Sequence, residues 1–236
     1  MSVLTLMLAV ALARLNVGRV LNPSAAEGGR SAATDGLRTR PTLRPATAPL
    51  SAADKRAAAI AAFATVQKVL QHPRCQNCHI PGDAPLQFDA GLPHQMKVLR
   101  GPDGHGASGL FCATCHNVVN PPASYGPHAP PGAPAWHLPP PDRKMVFINL
   151  SAAELCAVVK DPKRNGGKDF AALIKHVDKD KLVLWGWHPG GNRAPVSVPH
   201  EEFVAKFKQW AAAGGPCPGG ALASLANRPA QAGTSP

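Results

Sequence analysis

Large aromatic side chains are scarce: Phe, Trp and Tyr make up 5% of the 236 residues, with a single tyrosine. A chain so poor in rings has little bulk for a broad core, so an apolar group from outside the chain would supply much of it. Acidic residues are few as well, 14 against 25 Lys and Arg, for a formal net charge of +11. That excess is spread out, since residues 1–53 hold six arginines against Glu27 and Asp35. No basic run is interleaved with aromatics as a nucleic-acid groove requires, which argues against a nucleic-acid partner. Lysine clusters such as Lys160, Lys163 and Lys168 read as a solvated face rather than a docking site. Long hydrophobic runs are missing too. The longest, Val3 to Ala13, is too short to span a bilayer comfortably and reads as a secretory h-region within a signal peptide over residues 1–26. No Lys or Arg precedes it, which departs from the usual positive n-region.

By contrast, 26 prolines and 22 glycines are more than a compact fold uses throughout, so part of the chain is linker and tail. Against that background two short runs stand out: Cys75-Gln76-Asn77-Cys78-His79 and Cys112-Ala113-Thr114-Cys115-His116. A Cys-x-x-Cys-His run is the attachment signature of c-type haem. Two thiols three positions apart on one turn bond the two vinyl groups, and the adjacent histidine turns its imidazole onto the iron. Two runs imply two covalent haems held by Cys75, Cys78, Cys112 and Cys115, with His79 and His116 as iron ligands. A four-thiolate zinc site is the rival reading. The gap from Cys78 to Cys112 exceeds the usual ribbon spacing, and zinc does not require a histidine after both pairs. A pair of redox dithiols is a weaker rival still.

Around the motifs the chain reads as mainly α. Residues 27–53 form a proline- and alanine-rich flexible linker, residues 54–218 the globular domain, and residues 219–236 a disordered tail. Ser51 sits where an N-cap should, and Ala52 to Leu70 is helical, with Ile60, Phe63, Val66, Val69 and Leu70 on one stripe. Ser151 and Glu154 form a capping box that opens a helix stopped before Pro162, a further helix spans about 168–177, and a last one follows Pro199 and ends at Gly214. Residues 120–142 are extended by their prolines and are placed across a haem face. Cys156 and Cys217 are left over from the motifs. In an oxidising compartment they are expected to bond, tying the last helix to the Ser151-capped one.

The sixth ligand of each iron decides between electron transfer and catalysis. Candidates are Met96, Met145 and the eight histidines outside the motifs. His94, after Pro93 and between the motifs, is placed to reach either iron, against the plainer reading of a solvent histidine; His105, His176 and His188 follow it. Arg74, Arg100, Arg143 and Arg193 are candidates to bind haem propionates, with Arg100 favoured.

On its two motifs the chain resembles dihaem c-type cytochromes. Met145 to Leu155 is similar to the passage of class I cytochromes c in which the distal methionine precedes a Phe and a capped helix. That resemblance implies Met145 as an axial ligand, against the plainer reading of a core methionine. It also implies a small cytochrome c-like helical domain with long Pro/Gly-rich loops around the haems, located in the periplasm. Pro93-His94, Arg100-Gly101-Pro102-Asp103-Gly104, Lys160-Asp161-Pro162, Asn165-Gly166-Gly167 and Trp185-Gly186-Trp187 resemble short bacterial dihaem proteins labelled as subunits of an isoquinoline oxidoreductase, which implies a molybdenum hydroxylase as electron donor. The expected activity is single-electron carriage between redox protein partners, a His/Met haem sitting above a His/His one in potential. The rival is a dihaem peroxidase or thiosulfate-type oxidoreductase with one substrate-accessible iron.

Overall fold

The computed structural model describes residues 49–219; the expected signal peptide, most of the linker and nearly all of the tail lie outside them. Ser51 accepts a hydrogen bond from the Asp54 N–H while the Asp54 carboxylate accepts from the Ser51 N–H, a full capping box that starts α1 (Ala52–Leu70). α1 thus starts at Ala52, within the last residues of the stretch read as linker. Phe63, Val66, Val69 and Leu70 are buried as the stripe requires, but Ile60 is only half-buried, and Ala59 and Ala62 take its place. Small residues there let the partner helix approach closely.

That partner is α6 (His200–Ala212), which buries Phe203, Val204, Phe207 and Trp210 against α1. Trp210 is fully buried, ringed by Phe63, Phe170 and Phe207 at centroid distances of 4.9, 5.3 and 5.3 Å. Its Nε1–H donates to the Pro216 carbonyl at 3.0 Å, so the one polar atom of the ring is satisfied. The Ser151 box opens α3 (Ala152–Lys160), and Asp169 caps α4 (Phe170–Lys179), two residues later at both ends than the sequence indicates. Two short helices, α2 (Pro73–Gln76) and α5 (Lys181–Leu184), carry too few residues for periodicity to show. Between the motifs lie two antiparallel ladders of two residues per strand, β1 (Leu86–Gln87) with β2 (Leu92–Pro93), and β3 (Gly106–Ala107) with β4 (Leu110–Phe111). The helix-rich architecture agrees with the mainly α reading. Among the described residues no helix is long and apolar enough to cross a membrane.

Cys156 and Cys217 form the expected disulfide, with Cα atoms 5.6 Å apart and a sequence separation of 61. It ties α3 to the segment after α6. A closed loop of that length gives the bridge about 4 kcal/mol of stabilisation in the chain-entropy account. Alkylation under non-reducing conditions should leave both sulfurs unmodified. Cys156→Ser/Cys217→Ser should lower unfolding stability by that order in a denaturant titration.

Candidate functional site

Both Cys-x-x-Cys-His runs adopt one helical turn. In the first, α2 starts at Pro73 and the His79 N–H donates to the Cys75 carbonyl at 3.2 Å; in the second, the His116 N–H donates to the Cys112 carbonyl at 2.9 Å. Each turn puts its two thiols and its histidine beside a cavity. The four thiols are free, and neither pair is joined.

The first cavity, of about 240 Å³, is lined by Cys75, Cys78 and His79 and walled by core residues from four helices, among them Val69, Leu70, Val159, Leu173, Val177 and Phe207. The second, of about 550 Å³, is lined by Cys78, Cys112, Cys115, His116 and His94 and walled mainly by loops. Arg74, Cys78, Trp136, His137 and Trp185 border both, so the cavities share a wall. Their settings differ: Cys75 packs against the core cluster, while Cys115 is exposed and Phe111 at the second rim is 55% exposed.

Each motif histidine is held by the same device. His79 Nδ1–H donates to the Met145 carbonyl at 2.8 Å, and His116 Nδ1–H donates to the Pro131 carbonyl at 2.7 Å. The other ring nitrogen, Nε2, is left as the free donor atom, the arrangement in which a ligating histidine is fixed in tautomer and orientation. His79 is further clamped by stacking on Phe147 at 3.9 Å, and its carbonyl accepts from the Phe147 N–H at 2.9 Å. Met145 reaches this position with φ of 48°, a left-handed turn that costs a non-glycine residue about 1–3 kcal/mol and aims its carbonyl at the ring. His116 stacks flat on Trp136 at 4.3 Å, and Trp136 meets Trp185 edge-on at 4.9 Å.

Burial keeps both rings neutral, the ligating form: it lowers His79 to about 4 and lowers His116 as well, in each case against the carbonyl hydrogen bond. Burial likewise pushes the Cys75 thiol up to about 12, and the Cys78 thiol up to about 11 against the pull of Arg74. Among the described residues no group of three or more His, Cys, Asp or Glu side chains converges as a cage for a metal ion, so the two thiol pairs do not form one four-thiolate site.

The arginines sort differently from the sequence reading. Arg100 lines neither cavity. It is fully buried, and its guanidinium donates to the carbonyls of Ile80, Gly82 and Pro139 and to the Asp83 carboxylate, pinning the loop after the first motif to the proline-rich arm. Arg100, the arginine favoured from sequence as a propionate partner, thus spends its donors on three carbonyls and on Asp83. Arg74 lies on the shared wall instead. It is 8% exposed, pairs with Asp89 through one terminal nitrogen at 2.5 Å, and its Nε–H is buried with no acceptor. Arg143 borders the first cavity and Arg193 the second.

The remaining candidate ligands separate too. His94 borders the second cavity with its ring centroid 6.1 Å from that of His116, and its Nδ1–H donates to the Gln95 carbonyl at 2.8 Å. His176 borders the first cavity, and its Nδ1 faces Asp180 Oδ2 at 3.3 Å, a hydrogen bond that holds the Asp180 carboxyl down to about 2. Met145 borders the first cavity, Met96 borders the second at 71% exposure, and His105 and His188 are exposed and border neither. The sequence reading missed Pro131 and Asn120. Asn120 accepts from Trp185 Nε1–H at 3.1 Å and from the Gly132 N–H at 3.0 Å, fixing the arm that carries the His116 acceptor; nothing local in sequence marks either residue. Comparison with protein-family models, curated proteins and solved structures finds no match to the chain.

Proposed function

We propose that the chain is an extracytoplasmic dihaem cytochrome c, a cytochrome c-like helical domain that carries single electrons between a donor dehydrogenase and an acceptor. The observation that carries this reading is that each Cys-x-x-Cys-His turn borders its own apolar-walled cavity and that the two cavities share a wall. The residues present fit the group. In each cavity two free thiols stand three positions apart, and a neutral imidazole offers Nε2 with Nδ1 already engaged. The buried, unpartnered Nε–H of Arg74 is a donor suited to a propionate.

Haem c, when bound, supplies a one-electron iron couple. The chain's own residues do the rest. Cys75 and Cys78 with His79, and Cys112 and Cys115 with His116, fix two such groups as neighbours. Arg74, with Arg143 on one side and Arg193 on the other, offsets propionate charge. The first cavity is walled largely by core residues and the second largely by loops, and each opens along part of its rim, where a haem edge can exchange electrons with a partner protein. Periplasmic location fits the Cys156–Cys217 disulfide, which an oxidising compartment maintains. A molybdenum hydroxylase is one donor class consistent with the motifs quoted above.

Optical titration of the purified full chain tests carriage against catalysis. An electron carrier should show low-spin ferric and ferrous spectra at both haems and no binding of cyanide or CO under native conditions. Stoichiometric binding at one haem, with peroxide or thiosulfate turnover, would replace this reading with the enzyme.

A further inference from the structure

Resting on the dihaem reading, we infer that both irons take two imidazoles, His116 with His94 and His79 with His176, and that Met145 serves its site through its main chain. Metal–imidazole bonds of about 2 Å place the ring centroids of two trans imidazoles about 6 Å apart. The rings of His94 and His116 stand 6.1 Å apart across the second cavity. Each has Nδ1 engaged by a carbonyl, Gln95 for His94 and Pro131 for His116, so each keeps Nε2 for the metal. Two segments 22 positions apart have brought this pair to the separation that one iron between them needs.

At the first cavity the choice lies between Met145, His137 and His176. A thioether sulfur bound trans to an imidazole lies about 9 Å from the carbonyl that accepts the imidazole's other N–H, for metal bonds of about 2 Å. A methionine's own sulfur stays within about 6.5 Å of its own carbonyl oxygen, from standard bond lengths. The acceptor for His79 Nδ1–H is the carbonyl of Met145 itself. Met145 therefore cannot hold His79 in this way and also ligate the opposite face of the same iron. His137 sits on the wall between the cavities, its ring stacked on exposed His105 at 5.3 Å. His176 borders the first cavity alone. It stands on the face of α4 that turns Leu173, His176 and Val177 toward that space, a rigid platform rather than a loop, with the C-cap Asp180 bordering the same space. Asp180, one turn on, faces its Nδ1 at 3.3 Å, the carboxylate–histidine arrangement that orients a ligating ring and raises its basicity.

The test uses the full-length holoprotein, with the covalent haem count measured on every sample. Near-infrared magnetic circular dichroism of the ferric wild type should place both haems in the bis-imidazole class and show no thioether charge-transfer band. His94→Gly and His176→Gly should each convert half of the haem to a high-spin, CO-binding form, and added imidazole should restore the low-spin spectrum. A thioether band in the wild type that is lost in Met145→Leu would overturn the assignment at the first iron. Variants that leave every iron low-spin without added imidazole would overturn it at the site concerned. If a variant does not accumulate, the wild-type spectrum alone still decides between two imidazoles and imidazole with thioether. Fewer than two haems per chain in the wild type would instead sink the dihaem reading itself.

Discussion

Replacing Cys75 and Cys78 together by alanine is expected to remove one of two covalent haems and to lower the melting temperature by about 10–20 °C. Replacing Cys112 and Cys115 together should also remove one haem, but with a much smaller thermal shift. The difference follows from where the cavities lie. The first is walled by Val69, Leu70, Phe147, Val159, Leu173, Val177, Phe203 and Phe207, all members of the buried core. A group held there is part of the core, and without it about 240 Å³ of apolar wall loses its contacts. At about 24 cal/mol per Å³ of residual cavity, the cost is on the order of 6 kcal/mol, less where water enters or side chains collapse inward. For a domain of this size each kcal/mol corresponds to about 2–4 °C. The second cavity has no such wall: its rim includes half-exposed Phe111 and largely exposed Met96, and two-residue strands frame it. Calorimetry with haem counting on the two double variants checks this. Equal thermal shifts would contradict the unequal placement of the two sites.

Arg100→Met should lower stability by about 3–5 kcal/mol while leaving two covalent haems. The guanidinium is fully buried and gives four hydrogen bonds, to three carbonyls and one carboxylate, joining segments up to 39 residues apart. Methionine fills similar volume but leaves the carbonyls of Ile80, Gly82 and Pro139 without this donor. Asp83 keeps Lys144 at 2.9 Å, so the loss falls on the carbonyls. A propionate partner would behave otherwise: its removal would shift a reduction potential with little thermal cost. Denaturant titration and potentiometry on the same variant separate the two roles. A potential shift without destabilisation would return Arg100 to the haem.

The surroundings of Arg100 mark a limit of what the sequence alone shows. Helices α1, α3 and α6 were legible because each carries a local start signal and enough turns for an apolar stripe to repeat. The disulfide between α3 and the segment after α6 was legible by elimination, since Cys156 and Cys217 were the only cysteines outside the motifs. The turn of each Cys-x-x-Cys-His run follows from its spacing alone. In contrast, α2, α5 and the two ladders are too short for any period to register. The tasks of Arg100, Asn120 and the Met145 carbonyl depend on where distant loops meet. Met145 is the sharpest instance: its neighbourhood resembles a distal-methionine loop, yet the polar atom it presents to His79 is its main-chain oxygen. A sequence pattern names the residue that is near a site and leaves open which of its atoms faces it.

The central claim is two covalent haems on one chain, held by Cys75, Cys78, Cys112 and Cys115. A pyridine haemochrome assay combined with denaturing intact-mass measurement on the exported protein tests it most directly. The account predicts two haems per chain and a mass increase equal to two haem groups that survives denaturation. A mass equal to the bare chain, or to the chain with a single haem, would contradict it.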